Sequence, residues 1–103
     1  MENETNKETI KVMVQSLGGN QILAMTGGSF MANYEDCLLY FKYKGSKHSN
    51  CLTIAYNAGL DLFNLKFRKI WGMAIKEIEE INGVYADQVK SIFENTTKLF
   101  TSL

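Results

Sequence analysis

Cys37–Tyr43 reads CLLYFKY, and its alternation sets the fold class. Cys37, Leu39, Phe41 and Tyr43 share one side of an extended chain. Leu38, Tyr40, Lys42 and Lys44 share the other. A period of two with one apolar side is the pattern of a half-buried strand. The same pattern returns twice downstream. CLTIAYN (51–57) places Leu52, Ile54 and Tyr56 on one side, and LFNLKFRK (62–69) sets Phe63, Leu65 and Phe67 against Asn64, Lys66 and Arg68. The polar GSKHSN (45–50) and the Ala58-Gly59 pair separate the runs. Three such runs joined by short polar turns predict an antiparallel meander with one buried and one wetter face.

Outward from this centre, Ser29–Tyr34 is a further short strand candidate, followed by a turn at Glu35-Asp36. Upstream, QILAMT (21–26) is short, apolar and bracketed by Gly18-Gly19 and Gly27-Gly28, which predicts a buried strand. Downstream, MAIKEIEEI (73–81) mixes helix-forming and alternating character. It is read as an edge strand running into a turn at Asn82-Gly83.

Helices flank the strands. Thr5-Asn6-Lys7-Glu8 matches a capping box, and Ile10, Met13, Val14 and Leu17 then follow at the spacing of one helical stripe. Gly18-Gly19 supplies its stop. From about Ala86, Val89, Ile92, Phe93, Thr96, Leu99 and Phe100 form a second stripe. The expected fold is therefore α+β. An antiparallel sheet of about five to six strands packs on an N-terminal and a C-terminal helix as a two-layer sandwich, with residues 1–103 as one domain.

The chemistry-bearing residues are few. A phosphate loop needs glycines at a strand-to-helix junction, usually with a lysine, whereas here the glycine pairs flank an expected strand and no lysine follows Gly28. The sole histidine, His48, lies in the polar 45–50 connection. His48 and Cys51 alone do not complete a metal site. With Tyr43 or Lys44 placed opposite Cys51, Cys37 falls six or seven residues away along the ladder. That is on the order of 20 Å, too far for a disulfide. Both cysteines are expected as small buried side chains. No nucleophile and base can be paired, so neither an enzyme nor a cofactor is expected. The carboxylate run Glu77, Glu79 and Glu80 is read as a solvated face.

Charge is the informative feature. Eleven Lys+Arg balance eleven Asp+Glu. Yet between Lys42 and Lys69 the charged residues are Lys42, Lys44, Lys47, Lys66, Arg68 and Lys69 against Asp61 alone. Tyr40, Lys42, Lys44, Lys66 and Arg68 fall on the outer face of the expected sheet, and Lys47 adds to them from the loop. Cations with an aromatic side chain on an open sheet are suited to single-stranded nucleic acid, through phosphate contacts and stacking. The polar start MENETNKETIK lacks the pattern of a signal peptide. No run approaches the length of a membrane span. The chain is expected in the cytoplasm, without a membrane partner.

Two stretches, LGGNQILAMTGGSF (17–30) and VYADQVKSIFENTTKLFTSL (84–103), resemble a group of small phage and prophage proteins. That group shows LGGN, an AMTG-like segment, a basic β-hairpin region, then VYADQ, IF and a terminal TSL. Gly28 stands where the group carries Ala, and Lys98 where it carries Gly. The resemblance implies phage origin and action inside a host cell. It supplies no activity and no site residues. Together with the basic face it implies a non-enzymatic accessory protein that binds a macromolecule, nucleic acid first. The alternative is a counter-defence inhibitor that binds a host immune protein or sequesters its nucleotide signal. Self-association is a third expectation, tied to exposure of Trp71, Phe100 or Leu103.

Overall fold

The computed structural model describes residues 2–98, and among them all side chains but those of residues 2–4 and 25. The described elements are α1 (Glu2–Leu17), α2 (Asn20–Thr26), β1 (Ser29–Asn33), β2 (Leu38–Lys42), β3 (Cys51–Asn57), β4 (Leu62–Trp71), β5 (Ala74–Val84), a 3₁₀ turn (Ala86–Gln88) and α3 (Val89–Thr97). The five strands form one antiparallel meander in chain order. The helices lie on one face, which gives the two-layer α+β sandwich that the alternating runs predict.

The apolar face of the meander is the core. Leu39, Phe41, Leu52, Ile54, Leu65 and Phe67 are almost wholly buried, and Cys37, Tyr43 and Phe63 nearly so. α1 covers them with Ile10, Met13 and Leu17, while α3 inserts Val89 and Phe93. The Phe93 ring stands 5.1 Å from Tyr43 in a T-shaped contact and 5.7 Å from Phe41. Such edge and tilted pairs add to the apolar burial that drives the layers together. On α3, Thr97 is buried in place of the expected Thr96; Leu99, Phe100 and Leu103 lie outside the described residues.

QILAMT is a helix, not a strand. Ile22 and Thr26 are both buried at a spacing of four, and the Thr26 hydroxyl donates to the Ile22 carbonyl at 2.7 Å. Leu, Ala, Met and Gln are all good helix formers, and that preference wins in a run too short for periodicity to decide. Gly18 and Gly19 both have positive φ and end α1 as expected; Gly27 (φ 63°) ends α2. The glycine pair thus precedes a helix after all. But the segment entering it is a helix too, so the strand–loop–helix setting of a phosphate loop is not met.

Other boundaries shift for local reasons. α1 already runs from Glu2, so Thr5 lies inside the helix and its carbonyl accepts from the Thr9 hydroxyl at 3.1 Å. Acidic residues such as Glu2 and Glu4 favour a first turn there. Asn82-Gly83 is a bulge within β5 rather than a turn: Gly83 has φ 72°, its N–H donates to Asn64 Oδ1 at 3.1 Å, and the register shifts between Phe63 and Leu65. The VYADQ segment closes on itself through the Tyr85 N–H, which donates to Gln88 Oε1 at 3.1 Å.

Lys98 ends α3 in the left-handed conformation (φ 63°), and its N–H donates to the Glu94 carbonyl at 2.8 Å. The sharp turn is made here with a lysine. A Cβ in that region costs about 1–2 kcal/mol, and glycine gives back part of the gain through its unfolded-state freedom. Lys98→Gly is therefore expected to stabilise the chain by about 0.5–1 kcal/mol, read as a higher urea midpoint with an unchanged slope.

Candidate functional site

Register fixes where the expected basic residues go. Lys42 pairs with Cys51, Cys51 with Arg68, and Arg68 with Glu77. One step along, Tyr40, Thr53, Lys66 and Glu80 form a second row. Tyr40, Lys42, Lys66 and Arg68 therefore do share the open face. Each row, however, ends in a carboxylate on β5. Lys66 Nζ lies 3.5 Å from Glu80 and 3.8 Å from Glu77, and Arg68 Nη2 lies 4.0 Å from Glu77. These pairs are partly exposed and contribute little to stability, but they cancel the positive field in the middle of the face. Glu77 and Glu80 are exposed, as expected of a solvated run, and also partner the sheet cations.

The alignment also corrects the cysteines. Lys42, not Tyr43 or Lys44, stands opposite Cys51, because Tyr43 donates its N–H to the Asn50 carbonyl and extends the pairing into the loop. Cys51 consequently lies on the open face between Lys42 and Arg68, while Cys37 faces the core. Both thiols are free and buried. Burial raises both pKa values, and the Arg68 and Lys42 charges offset part of that rise at Cys51. A shallow groove of about 480 Å³ runs over Tyr40, Thr53, Asn64, Lys66 and Arg68. Thr53 Oγ1 and Arg68 Nε are buried along it without a hydrogen-bond partner.

The uncompensated cations lie elsewhere. Lys44 and Lys47 sit in the loop of residues 44–50, beyond the end of β2. That loop is held firmly. Asn50 Nδ2 donates to the Ile70 carbonyl at 2.6 Å, and Ile70 N–H donates to Asn50 Oδ1 at 2.8 Å. Ser46 Oγ donates to the Thr97 carbonyl at 2.8 Å, and the buried Tyr43 and Ser49 hydroxyls share a bond of 2.5 Å. Lys69 Nζ donates to the Lys47 carbonyl at 2.9 Å. Lys42, Lys44, Lys47, Lys69 and Lys76 all fall at the end of the sheet where β2 and β4 finish and β3 and β5 begin. None of them has an ion-pair partner among the described residues. The opposite end carries Glu35 and Asp36 in the β1–β2 turn, Asp61 in the β3–β4 turn, and Asp87 after β5. Part of the charge is therefore divided between a basic end and an acidic end of the sheet.

Lys76 and Trp71 lie at this end but outside the residues expected at the site, and the ion pairs of Lys66 and Arg68 could not be read from β4 alone. His48 is exposed in the loop, its N–H bonded to Ser46 Oγ at 3.1 Å. Among the described residues no group of three His, Cys, Asp or Glu side chains is placed to hold a metal ion, and no helix is long and apolar enough to cross a membrane. Comparison of the chain with protein-family models, curated proteins and solved structures finds no match.

Proposed function

We propose that the chain is a non-enzymatic binding module for single-stranded nucleic acid, which it holds at the basic end of its sheet. The observation that carries this reading is the gathering of five lysines without ion-pair partners among the described residues at that end, while Lys66 and Arg68 are paired. Phosphate neutralisation by such a cluster gives sequence-tolerant, salt-sensitive binding. The anchored 44–50 loop lowers the ordering cost of presenting Lys44 and Lys47. A small accessory module of this kind also fits the phage origin that the two terminal motifs suggest.

The test is fluorescence anisotropy of a labelled single strand of about 12 nucleotides, within the usual span of such sites. Combined reversal of Lys44, Lys47, Lys69 and Lys76 to Glu is expected to weaken binding at least tenfold. It should also flatten the log–log salt dependence by about 0.7 for each lysine that contacts a phosphate. Lys66→Gln is expected to leave affinity within about twofold, because its charge is already met by carboxylates. Absence of salt-dependent binding by the wild-type chain at low ionic strength rejects the reading.

A further inference from the structure

The far end of the β4–β5 hairpin is an exposed overhang, where Trp71, Met73 and Ile75 are all more than half exposed. Alternation along β4 carries Lys69 and Trp71 on the same face as Phe67, but Trp71 is 53% exposed. Lys47, His48, Lys69, Trp71, Lys76 and Ile78 line one open concavity of about 540 Å³ there. We infer that this concavity is a nucleotide subsite, in which the Trp71 indole stacks on one base and the Lys69 and Lys76 ammonium groups take the adjoining phosphate. The inference rests on the single-strand reading above and places one nucleotide of the ligand at that basic end, on the overhang beside the helix-bearing face of the sheet.

The first argument is the pairing of Lys69 with Lys76. Like charges directly opposite on antiparallel strands repel. A carboxylate at position 76 would relieve the pair, as Glu77 and Glu80 relieve the neighbouring rows. No carboxylate pairs with either lysine among the described residues. The bond from Lys69 Nζ to the Lys47 carbonyl fixes one ammonium and brings the Lys47 segment over the same spot. Two neighbouring ammonium groups attract an oxyanion through charge-assisted hydrogen bonds.

Trp71 supplies the second argument. It is the chain's one tryptophan, and it follows Lys69 by two residues on the same face, about 6–7 Å along the strand. That spacing suits a base and its own phosphate. The concavity is open rather than enclosed, so a continuous strand can pass through it. A stacking platform inside a basic channel is the usual device for holding single strands without sequence preference.

One tryptophan makes the test direct. The full chain is titrated with the labelled oligonucleotide, and both label anisotropy and Trp71 emission are followed. Emission should be quenched with the same midpoint as the anisotropy change. Trp71→Ala should weaken binding about tenfold, the usual cost of one lost stacking platform. Lys76→Glu should also weaken it about tenfold, yet leave the urea midpoint unchanged or raised, since it replaces a repulsive pair with an attractive one. That second variant separates lost binding from lost folding. If anisotropy rises while Trp71 emission stays constant and Trp71→Ala binds normally, the subsite is overturned and the single-strand reading stands. If no oligonucleotide binds, the single-strand reading fails. Quenching by thymidine monophosphate alone would then still support the subsite, and its absence would overturn it. A blue shift of Trp71 with phosphatidylglycerol vesicles, without any response to nucleotides, would assign the overhang to an anionic lipid surface and overturn the subsite.

Discussion

Phe93→Ala is expected to cost about 3–5 kcal/mol. A domain of this size has about 5–15 kcal/mol in total, so the urea midpoint should fall by about a fifth or more. Helix α3 has only nine residues, and its buried side chains are Val89, Phe93 and Thr97. Removing the phenyl ring leaves a cavity walled by Phe41 and Tyr43. Both walls project from consecutive core-facing positions of one strand run, and the sheet hydrogen bonds keep them from closing in. The cavity therefore stays largely open, which is the costly case. A functional consequence accompanies the loss. The last turn of α3 offers the Thr97 carbonyl to Ser46, and that bond helps hold the loop bearing Lys44 and Lys47. Loss of near-ultraviolet circular dichroism from the aromatic cluster should accompany the lower midpoint. A stability loss below about 0.5 kcal/mol, the scale of a surface substitution, would show that α3 is not docked as described.

The strands were legible because their core faces are so regular. In CLLYFKY every odd-numbered residue is buried, as alternation requires. QILAMT was not legible by pattern, since a six-residue, mostly apolar run fits a buried strand as well as a helix. Composition held the missing signal, in Leu, Ala, Met and Gln without a β-branched run. The basic face was half legible. Lys66 and Arg68 could be placed on the outside from β4 alone, but their neutralisation depends on which residues β5 sets against them. The turn at Gly72-Met73 decides that. Once Trp71 stands opposite Ala74, Arg68 must stand opposite Glu77. The same count sets Lys69 against Lys76. The extra residue at Ile78, where the register shifts between Phe67 and Arg68, then brings Glu80 rather than Glu79 opposite Lys66. Neither strand reveals this by itself, because a one-residue slip exchanges the two faces of β5.

Separation of charge towards the two ends also explains why the bulk composition was silent. A net charge of zero carries no information when Lys42, Lys44, Lys47, Lys69 and Lys76 lie at one end and Glu35, Asp36, Asp61 and Asp87 at the other. On the proposed reading, the acidic turns would repel a polyanion while the basic end attracts it. At physiological salt the field decays over about 8 Å, less than any of the molecule's extents of 39, 33 and 22 Å. The two ends therefore act as nearly independent surfaces.

Gly28→Ala is expected to cost about 3 kcal/mol, against about 1 kcal/mol for Gly27→Ala. The two neighbours are glycine for different reasons. Gly27 has φ 63° with open space where a Cβ would go, so its penalty is conformational alone. Gly28 has no such backbone demand. A Cβ there would overlap the Lys42 carbonyl oxygen and stand 2.7 Å from a Phe41 ring carbon. The carbonyl belongs to a paired strand and cannot rotate aside, and Phe41 is fully buried. Relief requires β1 to lift from β2 at the Ser29–Lys42 pair, where the Thr26 carbonyl also accepts from Lys44 N–H at 3.2 Å. Alanine at 28 should therefore speed amide exchange at Lys44 as well as lower the urea midpoint, whereas alanine at 27 should lower the midpoint slightly and leave Lys44 protected. Equal effects at the two positions would mean that the helix-to-strand junction has room that this packing denies, and that the lysines it supports are held less firmly than their hydrogen bonds indicate.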